Sequence, residues 1–222
     1  MDKPLQNYAV LWDMDGVLVD TGDLHYETWK IALAEEGYTI SKENFDASFG
    51  MNNEMILEKY FGLKSGDQKS VQISIRKEVL FREMAPGNVH LLPDVRNWLA
   101  WFQSQGVRQA VASSAPCENI ELLVDVLEIR PYFNTLVSGA EMPGKPNPDV
   151  FLHAAEQVGV PPARCLVVED AVHGVTGAHA AGMKCIAVTT TNSAEALSQA
   201  DLVLVDLTEL REEAFLGLLD KR

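Results

Sequence analysis

The sequence predicts an α/β fold: a doubly wound parallel sheet with an all-helical domain inserted after its first strand. Three observations carry that expectation. Short apolar runs recur along the chain as continuous stretches, the pattern of strands buried on both faces. Helix-length segments separate them from the second run onward. One long stretch of helical pattern, without a convincing strand, breaks the rhythm after the first run.

Taken in order, YAVLW at 8–12 is the first strand. The insert follows, with helical candidates in DLHYETWKIALAEEG, ENFDASFG, NEMILEKYFG and GDQKSVQISIRKEVLFREM, each ended or followed by Gly or Pro. A helix over 94–105 leads into the strand RQAVAS at 108–113. Helix 117–128, strand 133–138, helix 148–159 and strand 164–170 continue the alternation. Helix 172–181, strand 184–190 and a weaker strand at 201–206 complete it. The expected division is a Rossmann-like core of residues 1–20 and 88–222, with a helical domain over 21–87. The chain would cross between them near 20–22 and 86–93.

Composition narrows the function. The chain has 222 residues, 47% of them hydrophobic and 23% charged, so it can bury a core without crosslinks. No apolar run approaches the ~20 residues of a membrane span, and no secretory pattern is visible, so the expected location is cytoplasmic and no membrane partner is expected. A formal charge of −14 excludes a basic nucleic-acid surface. Cys117, Cys165 and Cys185 are too scattered for a disulfide framework or a CxxC metal site. Cys165 and Cys185 lie in strands as small hydrophobes; a helix start near Cys117 can lower a thiol pKa, but nothing else in the sequence points to a reactive thiol there. The sequence sets no firm oligomeric state, and a monomer is favoured.

Polar groups concentrate where strands end: Asp13 and Asp15 after the first, Ser113 and Ser114 after the second, Lys145 beyond the third, Glu169 and Asp170 at the fourth. Carboxyl ends of parallel strands open on one mouth, so these residues should meet. Clustered carboxylates make a hard oxygen pocket suited to Mg2+. Lys145 and the Ser113 hydroxyl add the charge and donors that a phosphoryl group requires.

DMDGV (13–17), Ser113 after AVA, Lys145 of GKPNPD and VEDAVHG (168–174), in that order, resemble the four motifs of the haloacid dehalogenase superfamily. The helical insert resembles the small cap of its phosphatase and beta-phosphoglucomutase branch. That resemblance implies Asp13 as nucleophile and Asp15 as general acid and base. It implies a Mg2+ site of Asp13, the Asp15 carbonyl, Glu169 and Asp170, and a phosphate held by Ser113, Ser114 and Lys145. His25, Asn53 and Lys77 would face the substrate from the insert.

The implied activity is Mg2+-dependent hydrolysis of a small phosphorylated metabolite, a sugar phosphate, through an aspartyl phosphate. A sugar phosphomutase is the alternative. It would need a fixed cation for a second phosphate, and Asn53 stands where the mutases carry Arg, although Arg76 and Lys77 are within the same insert. A non-catalytic phosphometabolite-binding module is the further alternative, which Asp15 argues against. GAEMPGKP at 139–146 matches the spacing of a nucleotide P-loop, but Pro146 replaces its Ser or Thr and Pro143 lacks an N–H. Trp29 is expected in the insert's core, Asp20 at a crossing, and the acidic stretch at 211–213 on a solvated face.

Overall fold

A computed structural model describes residues 5–48 and 51–220. Residues 49–50, the end of the predicted segment ENFDASFG, and the first four residues lie outside the described residues. Strand β1 (Ala9–Trp12) is followed by four helices: α1 (Gly22–Glu35), α2 (Lys42–Asp46), α3 (Asn53–Phe61) and α4 (Gln68–Met84). Then come α5 (Val95–Ser104), β2 (Arg108–Ser113), α6 (Cys117–Val126), β3 (Thr135–Ser138), α7 (Asp149–Val158) and β4 (Cys165–Glu169). The chain continues through α8 (Val172–Ala180), β5 (Lys184–Val188), β6 (Leu202–Leu204) and α9 (Glu212–Asp220).

The six strands form one sheet in the order β3-β2-β1-β4-β5-β6, every pairing parallel. Side chains alternate along a strand, and each face here has its own apolar layer. Val10, Trp12, Leu166, Val168, Ile186 and Val188 join the layer that contains Trp98, Phe102 and Phe215. Their neighbours Ala9, Leu11, Cys165, Val167, Cys185 and Ala187 face Phe151 and Val175 of α7 and α8. Burial on both faces is why the runs read as continuous rather than alternating.

Helices α1 to α4 enclose a separate apolar cluster, with Trp29, Leu33, Phe45, Leu57 and Ile73 buried in it. Side chains cap two of these helices: Ser41 accepts from the Asn44 N–H, and Asn52 from the Met55 N–H. The two chain segments that join this cluster to the sheet run side by side. Leu92 N–H donates to the Leu18 carbonyl and Asp20 N–H to the His90 carbonyl, and Val19 bridges Leu91. Asp20 is exposed beside this junction. Helix α9 was not foreseen in the acidic stretch at 211–213. Those three residues are exposed as expected, but the helix they open buries Phe215 with its ring 4.9 Å from that of Phe102. No described helix is long and apolar enough to cross a membrane.

Candidate active site

Register assembles the site. Trp12 pairs with Val168, and one residue further the Asp13 N–H donates to the Val168 carbonyl at 3.0 Å. Asp13 therefore continues the parity of Ala9 and Leu11, and Glu169 that of Cys165 and Val167, so both carboxylates emerge on the α7–α8 side. There Lys145 meets them: its Nζ is 2.6 Å from Asp13 Oδ1 and 2.6 Å from Glu169 Oε1. The lysine is 2% exposed and lies 4.9 Å from the centre of the Phe151 ring.

Carboxylate oxygens of Asp13, Glu169 and Asp170 lie within 4.8 Å of one another, a group that could hold a metal ion. Each is fixed from behind. Glu169 Oε2 accepts from the backbone N–H groups of Asp170 (2.8 Å) and Ala171 (2.9 Å). Asp170 Oδ2 accepts from the Thr191 hydroxyl, and Asn192 Nδ2 donates to the Asp170 carbonyl at 3.0 Å. Two glycines make room for these carboxylates. A Cβ on Gly16, whose φ is +78°, would stand 2.0 Å from Asp170 Oδ2, and one on Gly174 would stand 1.9 Å from the Glu169 carboxyl carbon.

Electrostatics record the crowding. Burial pushes the Asp13 carboxyl up to about 7, Lys145 pulling it back and Glu169 and Asp15 adding to the rise. Asp170 is raised well above its ordinary value by burial, with Glu169 and Asp13 contributing. For Lys145 burial works downward, yet Asp13 and Glu169 outweigh it and hold the ammonium above the usual range. One buried cation does not balance three buried carboxylates, and this hard oxygen donor set fits a divalent cation.

Asp15 stands apart from that cluster. Its Oδ1 accepts from the Thr21 hydroxyl at 2.5 Å and lies 3.1 Å from His25 Nε2. The His25 ring is stacked on Phe81 with centroids 4.3 Å apart. Burial would raise the Asp15 carboxyl, but His25 and Thr21 outweigh it and hold it below the ordinary carboxylate range. Asp13, Asp15, His25, Ser113 and Ser114 all line a cavity of about 280 Å³, together with Asn53 and Lys77 from the inserted helices. Ser113 is buried, and its Oγ accepts from the Ala115 N–H.

The structure rearranges several expectations from the insert. Lys77 does line the cavity, but it is 3% exposed and its Nζ is held 2.9 Å from Glu78 Oε1. Asn53 donates to the same oxygen at 2.7 Å. Arg76 is absent from the cavity; it makes a bidentate pair with Glu35 on the outer surface, at 2.8 and 2.9 Å. Trp29 is buried in the insert's core and also lines the cavity. Cys117 is not activated, because burial and the nearby Glu121 and Glu118 raise its thiol instead of lowering it.

Thr21, Thr191, Asn192, Gly174 and Glu78 were not singled out from the sequence. Thr191 and Asn192 were accessible to the same rule that found the others, since they follow the carboxyl end of β5. Glu78 carried no such signal, being one acid among many on an amphipathic helix.

Fold and cluster together define an α/β protein with a buried lysine and an acidic group that could hold a metal ion at the mouth of its parallel sheet. Within that class the chain belongs to the haloacid dehalogenase-like hydrolases, whose family model matches residues 10–188. Hexitol phosphatase B of Escherichia coli (strain K12) is 30% identical over 98% of this chain and all of that protein. Beta-phosphoglucomutase of Bacillus subtilis (strain 168) is 28% identical over 92% of each chain. Among solved structures, CbbY from Rhodobacter sphaeroides in complex with phosphate superposes with a TM-score of 0.83 at 26% identity, covering 91% of this chain and 96% of that one. The chain is thus an enzyme of a phosphatase family, and its relatives include proteins named for small phosphorylated compounds.

Proposed function

We propose that this enzyme is a Mg2+-dependent phosphatase of a small phosphorylated metabolite, a sugar or polyol phosphate, working through an aspartyl phosphate on Asp13. One observation carries the reading: a carboxylate held against a buried lysine at the sheet mouth shares its cavity with a second, separately hydrogen-bonded acid, Asp15. A nucleophile and a proton carrier need that separation, because the two must stand in different protonation states.

Asp13, Asp170 and the Asp15 carbonyl would hold Mg2+, with Glu169 supporting. The ion would neutralise phosphate charge and lower the barrier to approach of one anion to another. Lys145 pulls the Asp13 carboxyl down against its burial and orients it, and with Ser113 and Ser114 binds the phosphoryl oxygens; bound Mg2+ would complete the deprotonation of Asp13. An Asp13 oxygen forms the bond to phosphorus while the phosphorus–alkoxide bond breaks, and Asp15 gives its proton to the leaving oxygen. Water then attacks phosphorus, its proton passes to Asp15, and the bond between phosphorus and Asp13 breaks to release phosphate. Asp15 is anionic beside His25 before substrate arrives; the incoming phosphate charge raises its affinity for the proton it must donate.

Residues 21–87 would act as a cap, closing the cavity against bulk water and selecting the leaving group. No cation in the described cavity is left for a second phosphate, since Lys77 is paired with Glu78 and Arg76 with Glu35. That favours hydrolysis over phosphomutation. Phosphate release from a panel of sugar and polyol phosphates, with Mg2+ or with EDTA, tests the proposal. Metal-dependent release supports it; conversion of glucose 1-phosphate to glucose 6-phosphate without free phosphate would establish the mutase instead.

A further inference from the structure

The cavity wall made by α3 and α4 carries two carboxylates, Glu54 and Glu78, and one lysine. Six carboxylates line the cavity, and among its described lining residues Lys77 is the single lysine, with no arginine. Lys77 is itself neutralised, because Glu78 lies beside it at 2.9 Å, 6% exposed, with both oxygens in use. Oε1 accepts from Lys77 and Asn53, and Oε2 from Asn119 Nδ2 on α6, whose Oδ1 in turn accepts from Arg82 at 2.9 Å. Glu78 is held below the ordinary carboxylate range, since Lys77 and His25 outweigh the effect of its burial. It is an anion locked in place from three directions.

Ser70 and Ser74 stand eight and four residues before Glu78 on the same helix, and all three line the cavity. A spacing of four puts them on one face, as a row of two hydroxyls and one carboxylate directed at whatever extends from the phosphate. A carboxylate has about four acceptor positions and an ammonium three donors, so the Lys77–Glu78 pair can still exchange hydrogen bonds with neutral hydroxyls. A second anionic group placed there would be stripped of water beside Glu78 and find its one cation already taken.

We propose that Glu78 is a specificity-determining residue that confines this site to phosphate monoesters whose far end is uncharged and hydroxyl-bearing. It excludes esters that carry a second phosphate or a carboxylate at that end. The inference rests on the phosphatase reading and adds the class of substrate to it. Rejection by unmatched charge is a stronger filter than any single added contact.

Sorbitol 6-phosphate and 6-phosphogluconate test it, since they differ chiefly at C1, a hydroxymethyl against a carboxylate. Wild type should favour the alditol ester in kcat/KM by about tenfold or more. Glu78→Gln frees Lys77 and should shrink that ratio by about tenfold, mainly through a lower KM for the acid. Equal use of both esters by wild type overturns the inference without any variant, as does a Glu78→Gln ratio that stays where it was. A merely structural Glu78 would lower both rates together and leave the ratio fixed. Calorimetric binding of the two esters to Mg2+-loaded Asp13→Asn gives the same comparison without turnover. No phosphate release from any ester would count against the phosphatase reading, while equal affinities would count against the role of Glu78.

Discussion

Replacing Gly174 by alanine separates ordinary helix energetics from the demands of the site. In the first turn of α8 the change should stabilise by up to about 1 kcal/mol, from helix propensity alone. Its Cβ, however, would fall 1.9 Å from both Cδ and Oε1 of Glu169. The carboxylate is the end of a flexible side chain, but it is 1% exposed and has nowhere free to go. Moving it strips partners from the N–H groups of Asp170 and Ala171 and one of two carboxylates from Lys145. Each buried N–H left unpaired costs about 1–3 kcal/mol, so the net expectation is a loss of about 3 kcal/mol. In urea denaturation that is a midpoint lower by about 1 M at unchanged slope. Gly217→Ala in α9, where nothing lies within 4 Å of the added Cβ, is the control and should raise stability by about 0.5–1 kcal/mol. A Gly174→Ala midpoint equal to or above wild type would refute the assigned packing of Glu169.

Other outcomes follow from the same geometry. Lys145→Met should lower kcat by about 10²–10³-fold in steady-state assays while the protein stays folded. In metal-free protein Asp13 holds its proton up to about 7, against 3.8 when unfolded, so native chains bind protons that unfolded chains have lost between those values. The contribution of Asp13 to stability is therefore fully present below pH ~4 and is lost as pH rises toward neutrality, by up to ~1.4 kcal/mol per pH unit and proton; Asp170 acts in the same direction, and the lowered carboxyls of Asp15 and Glu78 act in the opposite one. Mg2+ competes with those protons and should raise Tm more at pH 8 than at pH 5, which scanning calorimetry with and without the ion checks; an equal rise at both would contradict it. Thr21→Val removes a donor to Asp15 and should raise the carboxyl pKa of that residue, followed by 13C NMR titration. Of the three cysteines only Cys117 is exposed, so a native thiol titration should find one reactive group, the other two appearing on denaturation.

Much of this architecture was legible because one physical rule governs both sequence and site. Strands buried on both faces must read as apolar runs, and polar residues at the ends of such runs must lie at the sheet mouth. Asp13, Ser113, Lys145, Glu169 and Asp170 all followed from that, and the structure gathers them. The same rule covered the strand that ends at Val188, where Thr191 and Asn192 were passed over because hydroxyls and amides in a TTTN loop resemble an ordinary turn. Partners chosen by tertiary contact left no such trace. Arg76 and Lys77 are neighbours in sequence, yet one pairs outward with Glu35 and the other inward with Glu78, and only the rotation of α4 decides which. Helix α9 was lost because its exposed acidic start masks two buried anchors, Phe215 and Leu218, three residues apart.

The central claim is that Asp13 is phosphorylated during turnover. Acid-quenching the Mg2+-loaded enzyme during turnover of a hydrolysed ester, then reducing with borohydride, converts an aspartyl phosphate to homoserine that peptide mass spectrometry can place. The account predicts homoserine at position 13 and none in Asp13→Asn. An enzyme that releases phosphate while position 13 remains unmodified aspartate, or that carries the modification at another carboxylate, would contradict it.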